Sequence, residues 1–108
     1  MSIRPLQEPA FLILTSLAAG PQHGYGIMTD VAKISAGRVR LRPGTLYAAL
    51  DRLTSARLLE VDHEEIVETR LRRYYRLTPA GRERLTAETA RLRANAAAAA
   101  GRLGLADA

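Results

Sequence analysis

Cysteine and tryptophan are absent from this 108-residue chain, and phenylalanine occurs once, at Phe11. Without thiols there are no disulfides and no thiolate metal sites, which fits a reducing, cytoplasmic home. Long apolar runs are missing as well. The stretch 10–19 is bounded by Pro9 and Gly20 and falls far short of the roughly 20 residues a membrane helix needs, so it reads as a core helix. The N-terminus lacks the charged, apolar and small-residue order of a secretion signal. Histidine is scarce: His23 and His63 lie far apart, and neither sits in a motif with a nucleophile or an acidic partner. A metal site from His63, Glu64 and Glu65 is not expected, because adjacent hairpin residues rarely converge on one ion. No metal, cofactor or enzymatic activity is expected, and the chain should work by binding.

Positive charge is plentiful. Lysine and arginine total 16 against 11 acidic residues, a formal net charge of +5 that suits a polyanionic partner. Arginine far outnumbers lysine and alanine is common, as GC-rich base composition alone would also produce. The placement of the arginines therefore carries more than their number. With 47% apolar and 25% charged residues, the chain reads as one ordinary globular unit with one core.

Local signals divide the chain into helices and a hairpin. Residues 1–7 read as a loose arm. Glu8-Pro9 suits a helix start and Gly20-Pro21 a stop, with Phe11, Leu14, Leu17 and Ala18 on one face. Leu12 and Ile13 widen that band, which predicts burial on two sides: against the core, and against a further surface such as a second subunit. Residues 22–26 read as a turn, and 25–36 as a helix with Ile27, Val31 and Ile34 inward, closed by Gly37. Val39 and Leu41 alternate with Arg38, Arg40 and Arg42, which predicts a short strand with its arginines on one face.

Residues 43–57 form the next helix, with Leu46, Leu50 and Leu53 as the buried stripe. Gly44, Thr45, Ala48, Asp51, Arg52 and Ser55 occupy the opposite face, where small residues would let the backbone approach a partner closely. Two strands follow, 58–62 and 72–77, around a charged tip at 63–71 whose acidity argues against phosphate contact there. Thr78-Pro79 caps a last helix running to about residue 100, with 101–108 fraying. Its residues Leu85, Thr89, Leu92, Ala96, Ala99 and Leu103 step by fours and threes, a heptad-like seam suited to dimerisation. The expected fold is mainly α with a small β-hairpin. It comprises a winged helix-turn-helix over residues 1–77 and a long C-terminal dimerisation helix over 78–108, in a single compact unit.

Three blocks carry a family resemblance. They are Gly20-Pro21-Gln22-His23-Gly24-Tyr25-Gly26-Ile27, then Gly44-Thr45-Leu46-Tyr47-Ala48-Ala49-Leu50-Asp51-Arg52-Leu53, then Arg73-Tyr74-Tyr75-Arg76-Leu77-Thr78-Pro79-Ala80-Gly81. In order and spacing they resemble PadR-type transcriptional regulators, and with their connections they span nearly the whole chain. The resemblance implies a dimeric repressor with the third helix in the major groove, the wing beside it, and the first and last helices in the dimer. It resembles the short subgroup that ends after the fourth helix. Some such proteins leave DNA on binding small aromatic or hydrophobic effectors at the dimer interface. The chain departs from relatives in having Ala48 where proline is frequent, an acidic wing tip, and no tryptophan pair with which to sandwich a flat drug.

The residues expected to bind DNA are Arg38, Arg40, Arg42, Thr45, Tyr47, Arg52, Arg72 and Arg73. Thr45 would meet a base edge or thymine methyl, and Arg52 a guanine edge or phosphate; Tyr47 and the remaining arginines would meet the backbone. Tyr25 and one of Tyr74 and Tyr75 are expected to pack internally. Phe11, Leu14, Leu85, Leu92, Ala96 and Ala99 are expected in the dimer interface. The expected partners are a palindromic operator in double-stranded DNA, a second copy of the chain, and a small effector. The alternative is a winged-helix module that binds a protein instead of DNA.

Overall fold

The computed structural model describes residues 4–105. Its elements are α1 (Glu8–Ala18), β1 (Gln22–His23), α2 (Gly24–Ile34), α3 (Pro43–Ser55), β2 (Leu59–Val67), β3 (Arg70–Leu77) and α4 (Pro79–Leu103). The strands form one antiparallel sheet in the order β1-β3-β2. This is a mainly helical winged helix-turn-helix with a long last helix, as the residue pattern predicts.

The core is built where the apolar periodicities converge. Ile13, Leu14 and Leu17 of α1 meet Ile27 and Val31 of α2, Leu46, Leu50 and Leu53 of α3, and Leu59 and Tyr75 of the sheet. The wide apolar band of α1 is explained within one chain, because α2, β3 and α4 all pack against this helix. Leu14 is fully buried in that core, so it cannot face a second subunit, contrary to expectation. Phe11 and Leu85 are half-buried against the same core.

Several local expectations change. Gln22 and His23 form a short strand on Tyr75 and Tyr74, where the sequence suggested only a turn. His23 then caps α2, its Nδ1 accepting the Gly26 N–H at 3.3 Å. The helix ends at Ile34, two residues before the expected stop, and Ala36 takes the left-handed conformation ahead of Gly37. Ile34, at this terminus, is exposed. Tyr25 is 70% exposed rather than packed, because two residues of helix place it on the side opposite Ile27.

Residues 38–42 form no strand: Arg38 lies in a bend and 39–42 take no regular structure. The Val39 N–H bonds the Ser35 Oγ (2.9 Å), which in turn donates to the Val31 carbonyl (2.9 Å), so this segment is tied to the end of α2 instead of to a sheet. The alternation still holds: Val39 and Leu41 pack against the core while Arg40 and Arg42 stay outside.

Thr78 caps α4 as expected, accepting from the Gly81 N–H at 2.9 Å and donating to the Arg57 carbonyl at 2.7 Å. Helix α4 continues through Leu103 to a left-handed Gly104 cap, past the predicted fraying point; residues 106–108 of that expected tail lie outside the described residues. Residues 1–3 of the expected loose arm do too. The rest of the arm is fastened to α4. Leu6 donates its N–H to the buried Glu88 carboxylate (3.1 Å), and the Arg84 guanidinium donates to the Arg4 carbonyl. Arg91 also donates to Glu88 (2.9 Å), and these two bonds hold its carboxyl below the usual carboxylate range against the cost of burial.

Candidate DNA-binding face

Helix α3 buries Leu46, Ala49, Leu50 and Leu53 and turns Gly44, Thr45, Ala48, Asp51, Arg52 and Ser55 outward. Tyr47 is half-exposed at its N-terminal end. Arg42 holds the N-cap position and gives no side-chain cap, so the first-turn amides of α3 are left uncapped. Arg40 and Arg42 lead into this end, and Arg52 lies in the last turn of the helix; among the described residues none of the three has a carboxylate partner. An uncapped, positively charged helix start with small residues behind it is suited to oxygen anions.

A cleft of about 750 Å³ separates α3 from the wing, with Tyr47 and Asp51 on one wall and Leu71, Arg72, Arg73 and Tyr75 on the other. Arg72 has no carboxylate partner among the described residues.

Two expected phosphate contacts are otherwise engaged. Arg38 forms a two-pronged bond to Glu8 at the start of α1, which lowers the pKa of that carboxyl and raises the arginine's. Arg73 donates through Nε to Glu64 (2.8 Å), its partner across the strand pair. Arg76 likewise spans Glu60 (2.9 Å) and Asp62 (3.0 Å), and Tyr74 donates to Glu65 (2.8 Å). The bond from His63, ahead of that from Arg76, holds the Asp62 carboxyl below its ordinary value. His63 also stacks on Tyr74 with ring centres 4.3 Å apart.

The wing's acids are thus mostly not at its tip. All but Glu68 lie in β2, each with a cross-strand partner, and the turn is only Glu68-Thr69. The expected tip at 63–71 was too long because charged residues mask a strand period that is visible only once the partner strand is paired. The exposed pair Ile66 and Leu71 near this turn was not singled out from sequence at all.

Of the candidate interface residues, Leu92 is 40% exposed, and Ala96 and Ala99 are exposed along the outer half of α4. Among the described residues no helix is long and apolar enough to cross a membrane, and no group of histidines and acids is placed to hold a metal ion.

A model described as the transcriptional regulator PadR-like family matches residues 13–87, from within α1 to the first turns of α4. The chain belongs to the PadR-like family. This is a family of regulators, not of enzymes. The Mycobacterium tuberculosis transcriptional regulator Rv3488 is 40% identical over 74 residues, covering 68% of this chain. The chain spans 65% of that relative's length and 22% of a longer one from Streptomyces fradiae. A PadR family transcription regulator from Clostridium difficile superposes with a TM-score of 0.71 at 26% identity, covering 90% of this chain and 99% of that one. Bacillus subtilis PadR in complex with operator DNA shares the fold, with a TM-score of 0.66 at 22% identity over 74% of this chain and 45% of that one.

Proposed function

We propose that this PadR-like chain is a homodimeric, sequence-specific DNA-binding repressor of a roughly palindromic operator. The observation that carries this reading is the outward face of α3: small and polar, uncapped at its start, and bordered by Arg40, Arg42 and Arg52. Family membership supports it, as does the operator-bound relative of the same fold. Thr45 and Arg52 read base edges, while Tyr47, Arg40, Arg42 and Arg72 hold phosphates. The outer half of α4 supplies the dimer contact through Leu92, Ala96 and Ala99, with Phe11 and Leu85 at its margin. Residues 1–77 form the DNA-binding part and 78–108 the dimerising part. A small hydrophobic or aromatic effector that favours one dimer geometry would change the separation of the two α3 helices and release the operator.

The test is fluorescence anisotropy on the upstream DNA of the chain's own gene against a scrambled duplex, across a salt series. Specific binding about a thousandfold tighter than to the control, with a steep salt slope, is expected. Thr45→Ala and Arg52→Ala should each weaken specific binding and leave the oligomeric state alone. Wild-type affinity in both variants would remove α3 from the interface. Equally weak binding to both duplexes would favour a protein partner, the reading to which the internally neutralised wing points.

A further inference from the structure

A groove of about 700 Å³ runs between α2 and the lead-in to α3. Met28 and Ala32 of α2 and Leu41 of the lead-in form its floor. Met28 and Leu41 pack on the core from one side and remain half-exposed on the other. The rim is cationic. Lys33, Arg40 and Arg42 border the groove, all three are exposed, and none has a carboxylate partner among the described residues. Gly37 brings one of them close. A Cβ on this glycine would fall 3.0 Å from a terminal guanidinium nitrogen of Arg40, so that guanidinium lies against the backbone just beyond α2.

No acid lines this groove among the described residues. Asp30, the one acid of α2, borders a different cleft on the α1 side and forms no ion pair with Lys33. The negative end of α2 amounts to about half a charge, too little to balance three cations. Uncompensated cations over an apolar floor suit an anion that carries an apolar body. A DNA phosphate would satisfy the rim and leave the floor wet. From Tyr25 to Ala32 the helix advances about 10 Å at ~1.5 Å per residue, a strip that suits an extended alkyl chain. At the rim, an arginine can hold a carboxylate through two parallel bonds.

We propose that this groove binds a fatty carboxylate, its chain along Met28, Ala32 and Leu41 and its head between Lys33 and Arg40. The bound head group takes Arg40 and Arg42 away from operator phosphates, so the ligand releases DNA by direct competition. The site stands on the groove itself; only the release rests on the DNA-binding reading above. It differs from an effector that acts through dimer geometry, because the contested arginines lie within one chain.

Titration calorimetry of the DNA-free protein with dodecanoate, kept below its micellar concentration, reads the site directly. Binding should saturate at one molecule per chain. From hexanoate upwards, each methylene should tighten binding by up to about fourfold until the floor is covered. Dodecanol, with the chain but no charge, should bind about tenfold or more weakly. Lys33→Gln removes one rim charge at an exposed position and should weaken dodecanoate about tenfold. Ala32→Phe fills the floor and should abolish binding; if it fails to fold, Lys33→Gln and the dodecanol comparison still decide. Neither residue is an operator contact, so ligand-free operator affinity should match wild type in both variants. On a duplex selected by the wild type from a random pool, dodecanoate should release wild type and spare the variants. Undiminished dodecanoate binding in Lys33→Gln, or equal binding of dodecanol, would overturn the site. Binding without release would overturn the competition. Failure of the wild type to enrich any duplex would remove the DNA reading and the competition with it, while the DNA-free titration still decides the site.

Discussion

Tyr47 lies over Gly24. A Cβ built on this glycine would fall 2.4 Å from the phenolic oxygen and 2.9 Å from the ring carbon that bears it. The contact joins the first residue of α2 to the first turns of α3, and so sets how the outward face of α3 is presented. Gly24→Ala should cost about 1–3 kcal/mol of stability, as overpacking does, and weaken operator binding by displacing Tyr47. In a Tyr47→Ala background the same substitution should cost almost nothing. Urea denaturation of the four proteins measures this coupling, and additive losses would show that the two residues act independently.

The wing's ion pairs oppose its use as a clamp. Glu64 holds Arg73, and both side chains are about half exposed, so the pair adds little to stability. Glu64→Gln should leave the melting temperature nearly unchanged while freeing the guanidinium. Operator affinity should rise several-fold at low salt, with a salt slope steeper by about one phosphate contact, roughly 0.9 in log–log units. Unchanged affinity and slope would mean that Arg73 points away from the nucleic acid even when unpaired.

His23 gives the chain an acid-sensitive cap. Its Nδ1 accepts the Gly26 N–H only when unprotonated. Burial first, and then the charge of Arg72, pushes its pKa below 6.5, with Glu65 opposing. The unfolded chain therefore takes up the proton first as pH falls. The stabilisation is complete above about 6.5, shrinks from there down to the depressed folded value, and is constant below it. Glu8, Asp62 and Glu88, also depressed from ordinary values of 4.5, 3.8 and 4.5, lose their contributions in a more acidic range. His23→Asn keeps a capping acceptor that does not titrate. Thermal midpoints from pH 8 to 5 should fall more for wild type than for this variant, and parallel curves would refute the cap's role.

Much of the scaffold was readable from periodicity and punctuation. The Leu46, Leu50 and Leu53 stripe, the Thr78-Pro79 cap and the outward face of α3 stand where the residues predicted, because each is decided by neighbours within one or two turns. The misses depend on partners distant in sequence. Arg38, Val39, Arg40 and Leu41 alternate as a strand would, yet Ser35 captures the Val39 amide and no strand edge adjoins. Gln22 and His23 are too few to carry a period, and only β3 makes them a strand. Leu14 fitted an interface by its position on α1, but nothing local could show that α2, β3 and α4 all pack against that helix. Gly81, part of a recognisable block, gains its physical reason only in three dimensions: a Cβ there would lie 1.8 Å from the Leu58 carbonyl oxygen.

The outer half of α4 bears on assembly. The helix has 25 residues and is about 37 Å long at ~1.5 Å per residue, more than packing on α1 and β3 requires. Along its outer half only Ala100 is buried; Leu92, Ala96 and Ala99 recur at seam spacing and are exposed, with alanines small enough for close helix approach. Leu92→Glu would bury a charge against an apolar partner and should weaken the dimer about a hundredfold, an effect of nearly 3 kcal/mol. The fold should survive, since Leu92 is not part of the subunit core. Sedimentation equilibrium should then show folded monomers with wild-type helical content, and operator affinity should fall because two half-sites are no longer bound together. A dimer of undiminished strength would move the subunit contact away from this helix and towards the half-buried Phe11 on α1.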